Sequence, residues 1–162
     1  MGEGKMDRVY YFTYSHHMDS TYLKRLRISC SAPMSAFLPD YRLVFNVLED
    51  ELFRFEKRGL ANIVPARGRR VEGVLYEIDE DDFLKLDEDA GVADMKYYRK
   101  MVYACRYSGG RISAMTYAGW PDVTAYGLLP SPDYLKKIIQ AARHSEVPTE
   151  FRHWLESHPT TM

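Results

Sequence analysis

The hydrophobic and polar positions of this chain fall into short blocks whose period switches along its length. Arg8 to Tyr14 (Arg-Val-Tyr-Tyr-Phe-Thr-Tyr) is aromatic and β-branched, which suits a strand, and the polar Ser15-His16-His17 directly after it reads as a loop. Asp19-Ser20 can cap a short helix whose apolar stripe is Tyr22, Leu23 and Leu26, with Lys24, Arg25 and Arg27 on the other side. Ala36 to Asn46, Leu60 to Pro65 and Val71 to Ile78 predict three further strands, punctuated by Gly59 and Gly68. Leu48 to Arg58 follows neither period and predicts a loop or irregular segment.

A helix is expected from Asp79. Asp79 through Asp82 supply a cap and a negative first turn, Phe83 and Leu86 lie three apart, and Gly91 can close it. Asp87, Glu88 and Asp89 then fall in its last turn, where the macrodipole disfavours carboxylates by ~0.3–1 kcal/mol per exposed charge. Such a placement points either to a site or to a solvated acidic helix end. Tyr97 to Tyr107 and Arg111 to Tyr117 predict a hairpin around Ser108-Gly109-Gly110. Ser131-Pro132-Asp133 starts a helix with Leu135, Ile138, Ile139 and Ala142 on one face, and Val147-Pro148 starts a last one with Phe151, Trp154 and Leu155 inward. Six strands, mostly early, and four helices predict an α+β fold, barrel-like or open-sheet.

Composition narrows the class of function. At 162 residues a single domain spanning 1–162 is expected, its core at about 8–157. Lys and Arg total 22 against 23 Asp and Glu, with no basic block, so neither nucleic acid nor an anionic membrane is an expected partner. No apolar run approaches a membrane span, the first residues carry no apolar signal region, and Cys30 and Cys105 are too few for a disulfide framework; a cytoplasmic protein is expected. The outlier is tyrosine, with 13 residues against 7 Phe and 2 Trp, where packing alone would favour Phe.

Five segments in one order carry a resemblance: the N-terminal strand and its loop, Gly59-Leu60-Ala61-Asn62-Ile63-Val64, Val71-Glu72-Gly73-Val74-Leu75-Tyr76, Leu86-Asp87-Glu88-Asp89-Ala90-Gly91-Val92 and Pro130-Ser131-Pro132-Asp133-Tyr134. Together, over roughly Val9 to Leu155, they resemble the γ-glutamylcyclotransferase family, which includes the AIG2-like proteins. The resemblance implies a small mixed β-barrel with surrounding helices, a pocket at one end, and no metal or cofactor. It also implies an intramolecular reaction, in which the α-amine of a γ-glutamyl compound attacks its own γ-carbonyl, releasing an amine and forming 5-oxoproline. One carboxylate can serve that chemistry as base and then acid, and backbone N–H groups of a tight loop can hold the oxyanion.

Both places depart from the family pattern. The Tyr-Gly-Ser-Asn loop of the family reads Tyr14-Ser15-His16-His17, and the position of the family's catalytic Glu is Ala90. Alanine moves no proton. The candidate replacements are His16 and His17, whose ordinary pKa of about 6.5 suits a base at neutral pH, and then Glu88 and Asp89. Glu88 lies about 200° around a helix from Ala90, and Asp89 is one residue off and one methylene shorter. The bland alternatives are a solvent-facing or hydrogen-bonded pair of histidines and two surface acids. Backbone amides of Ser15 and His16 would hold the oxyanion. Tyr14, Tyr98 (or its neighbour Tyr97), Tyr117 and Tyr134 are expected to line a substrate pocket with Ser15, His16, His17 and Ala90, their alternative being half-buried aromatics. No metal is expected, since His16 and His17 are adjacent and no third ligand has ligand spacing. Arg67, Arg69 and Arg70 form a basic cluster expected at an exposed turn.

The expected function is therefore acyl transfer, intramolecular aminolysis in its most concrete form, on a small amine- or amide-containing substrate by a lyase or acyltransferase without cofactor. The alternative is a non-catalytic small-molecule-binding protein on the same scaffold, in which Ala90 leaves room for a larger or uncharged group. A monomer or homodimer suits either.

Overall fold

The computed structural model describes residues 7–49 and 56–162. Five strands, β1 (Arg8–Thr13), β2 (Met34–Leu48), β3 (Gly59–Asp79), β4 (Tyr97–Arg106) and β5 (Arg111–Gly119), close into a barrel in the order β1-β3-β2-β4-β5. Every pairing is antiparallel except the closing one, where β1 meets β5 in parallel at Tyr11 and Met115. Closure leaves no free sheet edge within this set of strands. Four helices pack around it: α1 (Ser20–Arg25), α2 (Phe83–Ala90), α3 (Pro132–Arg143) and α4 (Thr149–Glu156). The architecture is the α+β small barrel that the resemblance implied, and closure decides between the barrel and the open sheet that the order of elements left as alternatives.

Two of the six expected strands are one. Leu60 to Pro65 and Val71 to Ile78 run together as β3, because Gly68, in the left-handed region at φ +79°, makes an irregularity within the pairing rather than a chain reversal. The register of β2 against β3 shifts there between Pro39 and Tyr41, and the Asp40 carboxylate accepts from the Gly68 N–H at 2.9 Å. A second shift, between Phe45 and Val47, sits beside buried Asn62, whose amide oxygen accepts from the N–H groups of Ile63 and Gly119. Of the irregular segment expected at Leu48 to Arg58, Leu48 closes β2 and residues 50–55 lie outside the described set.

The helix signals hold at α1 and α3, whereas the expected cap from Asp79 to Asp82 is corrected: a 3-10 segment, Glu80–Asp82, precedes α2, and neither Asp79 nor Asp82 caps with its side chain. The Asp19 side chain accepts from the Thr21 N–H ahead of α1, and Ser131 Oγ accepts from the Tyr134 N–H ahead of α3. Gly91 ends α2 at φ +72°, a conformation that costs glycine nothing. Phe12, Leu75, Tyr76, Phe83 and Ile138 are among the largest side chains of the core, each fully buried. Truncating Phe12 to Ala there costs about 3–5 kcal/mol. One expectation is corrected: Trp154 does not turn inward but keeps 39 % of its surface exposed, leaving Leu155 as the buried residue of α4. An amphipathic indole can stack on Phe151 and Phe45 while one edge stays wet. No helix among the described residues is long and apolar enough to cross a membrane.

Candidate active site

A pocket of about 400 Å³ opens at one end of the barrel. Its floor comes from β1 and the residues just beyond it, one side from the end of α2, and the far side from the start of β4 and from Tyr134 on the first turn of α3. Of the expected residues, Tyr14, Ser15, His16, His17, Glu88, Asp89, Ala90, Tyr117 and Tyr134 all line it. Tyr98 does not. Strand alternation sends Tyr98 outward against the Trp120 ring, 4.7 Å between centroids, and sends Tyr97 into the pocket instead. Arg67, Arg69 and Arg70 lie away from it, Arg69 and Arg70 bordering a separate groove beside Trp154.

The tyrosines form a wall, and nearly every hydroxyl is tied to fixed structure. Tyr14 donates to the Tyr117 carbonyl and Tyr97 to the Ala61 carbonyl, both at 2.6 Å. Tyr134 accepts from the Ala61 N–H at 2.9 Å and lies 3.2 Å from Ser15 Oγ. Tyr117 donates to Asp87, whose carboxylate also takes a bidentate pair from Arg99. Burial pushes Asp87 up, but the hydrogen bonds from Arg99 and Tyr117 outweigh it and hold the carboxyl below its ordinary range. Burial also raises the phenols of Tyr11, Tyr14, Tyr97 and Tyr134, and that of Tyr117 together with Asp87, so these groups act as neutral donors and acceptors near pH 7. That use of the hydroxyls accounts for part of the tyrosine excess, since Phe would leave backbone groups unpaired.

The remaining corner is built differently. Strand β1 ends at Thr13 and the chain turns through a three-residue 3-10 segment, His16–Met18. Ser15 stands before it at φ −126°, a negative φ that needs no glycine. The turn buries His17, which is 8 % exposed, and places its ring between two partners. Its Nε2 is 3.0 Å from Asp89 Oδ2 and its Nδ1 is 2.9 Å from the Tyr11 hydroxyl. An ionised carboxylate only accepts, so Nε2 carries the proton; on the neutral ring Nδ1 is then the acceptor and Tyr11 donates to it. The hydrogen bond from His17 lowers the Asp89 pKa, burial notwithstanding. Asp89 thus finds an imidazole at the unfavourable end of α2, just as Asp87 finds Arg99.

His16 has another environment. Burial, reinforced by the neighbouring His17, pulls its pKa down to about 3, so the ring is neutral at physiological pH and a poor proton acceptor. Its Nδ1 faces Ser15 Oγ at 3.3 Å. The spacing objection to a third metal ligand is corrected as well: ring nitrogens of His16 and His17 and a carboxylate oxygen of Asp89 all lie within 4.8 Å of one another, because α2 returns to the loop. Among the described lining residues Lys96 is the one Lys or Arg, its Nζ donating to the Glu49 carbonyl, against the carboxylates of Glu88, Asp89 and Asp94.

Tyr11, Asp94 and Lys96 were not singled out by sequence reasoning, and Tyr97 stood there only as the alternative to Tyr98. A signal existed for Tyr97, in the two-residue period of β4. For Tyr11 there was none, because its importance lies in a contact with His17, six residues on.

A small barrel with a tyrosine-walled pocket at one end is the class that fold and site define. The chain belongs to the AIG2-like family, the γ-glutamylcyclotransferase-like group, whose profile matches residues 70–155, just over half of its length. A γ-glutamylcyclotransferase from Bos taurus is 26 % identical over 148 residues, covering 91 % of this chain and 77 % of the relative. The solved structure of a γ-glutamyl cyclotransferase superposes with a TM-score of 0.82 at 22 % identity, covering 96 % of this chain and 90 % of the other. YkqA from Bacillus subtilis gives 0.77 at 20 % identity, covering 98 % of this chain and 58 % of its own. At such identities the superpositions speak to the fold.

Proposed function

We propose that this pocket carries out acyl transfer, in its simplest form intramolecular aminolysis of a small amine-bearing acyl compound, with Tyr11, His17 and Asp89 moving the proton. The observation that carries the reading is the hydroxyl–imidazole–carboxylate series at 2.9 and 3.0 Å on the pocket floor. Its order matches the logic of an activated hydroxyl: a group facing the ligand, a base behind it, and a carboxylate that orients the base and stabilises its charged form. The substrate ammonium gives a proton to the Tyr11 oxygen as the Tyr11 proton passes to His17 Nδ1. The freed amine attacks the carbonyl carbon, and as the old C–N bond breaks the departing nitrogen receives both the proton returned along the same series and the surplus proton of the attacking nitrogen, so that it leaves as an ammonium and the new amide keeps one N–H. Backbone N–H groups of Ser15 and His16 take the oxyanion. The surplus of carboxylates over Lys96 around the pocket favours a ligand carrying an ammonium. Ala90 presents only a methyl where the resemblance implies a carboxylate, so the relay enters from the loop instead of from α2.

The test is a panel of γ-glutamyl amino acids, γ-glutamylamines and other acyl-amine compounds, followed by release of free amine and of 5-oxoproline or the matching lactam. Turnover that disappears in Asp89→Asn supports the reading. A wild-type protein that turns over nothing in the panel sinks it. A second reading, a binding protein that retains an unreactive ligand, has one observation in its favour: both His17 nitrogens are engaged and His16 is held neutral, so neither pocket histidine stands free as a base. Ligand-induced thermal stabilisation without turnover would select it. Ala90→Glu separates the two further, since a large gain in 5-oxoproline release would mean that the pocket lacked only the carboxylate.

A further inference from the structure

We propose that His16, His17 and Asp89 form a three-ligand site for a divalent transition-metal ion of the zinc or ferrous type, with the remaining coordination open to the pocket. The inference stands whether or not the pocket transfers acyl groups, because it concerns uptake of the ion itself.

The donor set is two imidazoles and one carboxylate, which suits Zn²⁺ or Fe²⁺ better than the all-oxygen preference of Ca²⁺ or Mg²⁺. With metal–ligand bonds near ~2.1 Å, ligand atoms in tetrahedral or octahedral arrangements stand roughly 3.0–3.4 Å apart. The His17 Nε2 to Asp89 Oδ2 separation of 3.0 Å is already in that range. The remaining separations reach at most 4.8 Å, so the ligand atoms must draw together by up to about 1.5 Å on taking up the ion.

The supporting contacts point the same way. A ligating imidazole ordinarily donates its other N–H to a neighbour that fixes its orientation. Here His17 Nδ1 faces the Tyr11 hydroxyl at 2.9 Å and His16 Nδ1 faces Ser15 Oγ at 3.3 Å, which leaves the two Nε2 atoms as the metal-facing pair. The ligands come from two separate elements, the turn after β1 and the last turn of α2 before its Gly91 cap. All three line a cavity of about 400 Å³, room enough for a water or a ligand group on the open side.

The ion also has a defined consequence for the relay. Metal at His17 Nε2 places the ring proton on Nδ1, so Nδ1 donates to the Tyr11 oxygen and no longer accepts its proton. Ion and proton compete for one gap, and loading the site closes the relay.

The experiment uses the full chain stripped with a chelator, dialysed free of it, and titrated with Zn²⁺ by calorimetry and with Co²⁺ by visible absorption. One ion per chain is expected, with ligand-field bands of a nitrogen–oxygen site and a rise in Tm. Asp89→Asn and His16→Asn should weaken binding by more than about 100-fold, and Tyr11→Phe, which removes only a supporting hydroxyl, by about tenfold. The exposed pair His144 and Asp19 is the control for adventitious uptake, and His144→Gln should leave the titration unchanged. Far-UV circular dichroism confirms that the variants are folded, which Asp89→Asn should be, since its side chain is 38 % exposed. No stoichiometric uptake by the wild type, uptake that survives Asp89→Asn in a folded protein, or uptake lost with His144→Gln instead would overturn the site.

Discussion

The tyrosine wall and the histidine corner enclose the same cavity, yet they spend their polar atoms in opposite ways. On the wall, Tyr14, Tyr97 and Tyr134 bind backbone groups of β5 and β3, and Tyr117 binds a carboxylate neutralised by Arg99. Each of these partners has one charge state near neutrality. In the corner, Tyr11, His17 and Asp89 bind one another, and the middle member is an imidazole that can hold its proton on either nitrogen. The contrast is sharpest in one helical turn. Asp87 and Asp89 lie two residues apart at the end of α2, the first locked by a guanidinium and the second by an imidazole. A wall of fixed partners holds the cavity's shape, whereas a corner of exchangeable partners can do chemistry in it.

That division can be broken most easily at the two aspartates. Asp89→Asn is expected to lower turnover on the order of 10⁴-fold, as loss of the orienting carboxylate does in a hydroxyl–imidazole–carboxylate series, and to change stability by less than about 1 kcal/mol. Asp87→Asn should do the reverse, costing about 1–2 kcal/mol through the orphaned Arg99 and Tyr117 while turnover stays within tenfold. Steady-state kinetics and urea unfolding on both variants would show it, and similar profiles for the two would erase the distinction.

Next in size is a pair of tyrosines. Tyr11→Phe should cut turnover by about 10²–10³-fold, because it removes the group that passes the proton. Tyr97→Phe should leave the rate nearly intact but cost about 1–3 kcal/mol, since the Ala61 carbonyl loses its donor. An equal loss of activity in both would mean that the wall takes part in the reaction.

How far the sequence led differs between these regions for a physical reason. Strand and helix signals are local, so β1, the caps of α1 and α3 and the Gly91 stop of α2 were legible; that Tyr14, Ser15, His16, His17, Ala90, Tyr117 and Tyr134 share one pocket came from the family resemblance and not from any local pattern. Gly68 misled because a glycine at positive φ serves a bulge as readily as a turn. Tyr97 and Tyr98 were left undecided because strand phase is set by barrel closure. The Tyr11 to His17 contact and the approach of Asp89 depend on how a three-residue turn meets a helix end some 70 positions later, which no periodicity encodes.

The smallest expected effect concerns stability and pH. With its pKa near 3 in the folded chain and about 6.5 when unfolded, His16 takes up a proton only on unfolding in the interval between. Its contribution is therefore complete above about pH 6.5 and drains as pH falls toward 3, at no more than roughly 1.4 kcal/mol per pH unit. His16→Asn, compared with the wild type in chelator by urea unfolding at pH 7, 6 and 5, should remove that part of the acid slope. Parallel slopes would mean that the ring is solvated after all.

The central claim is that His17 holds its proton on Nε2 toward Asp89 and offers Nδ1 to Tyr11. Histidine-selective ¹⁵N labelling with long-range proton–nitrogen correlation spectra on the metal-free protein reads this directly. His17 is expected as the Nε2–H tautomer, shifting toward a mixture in Asp89→Asn. An Nδ1–H tautomer in the wild type would contradict it, because Nδ1 could then take no proton from Tyr11.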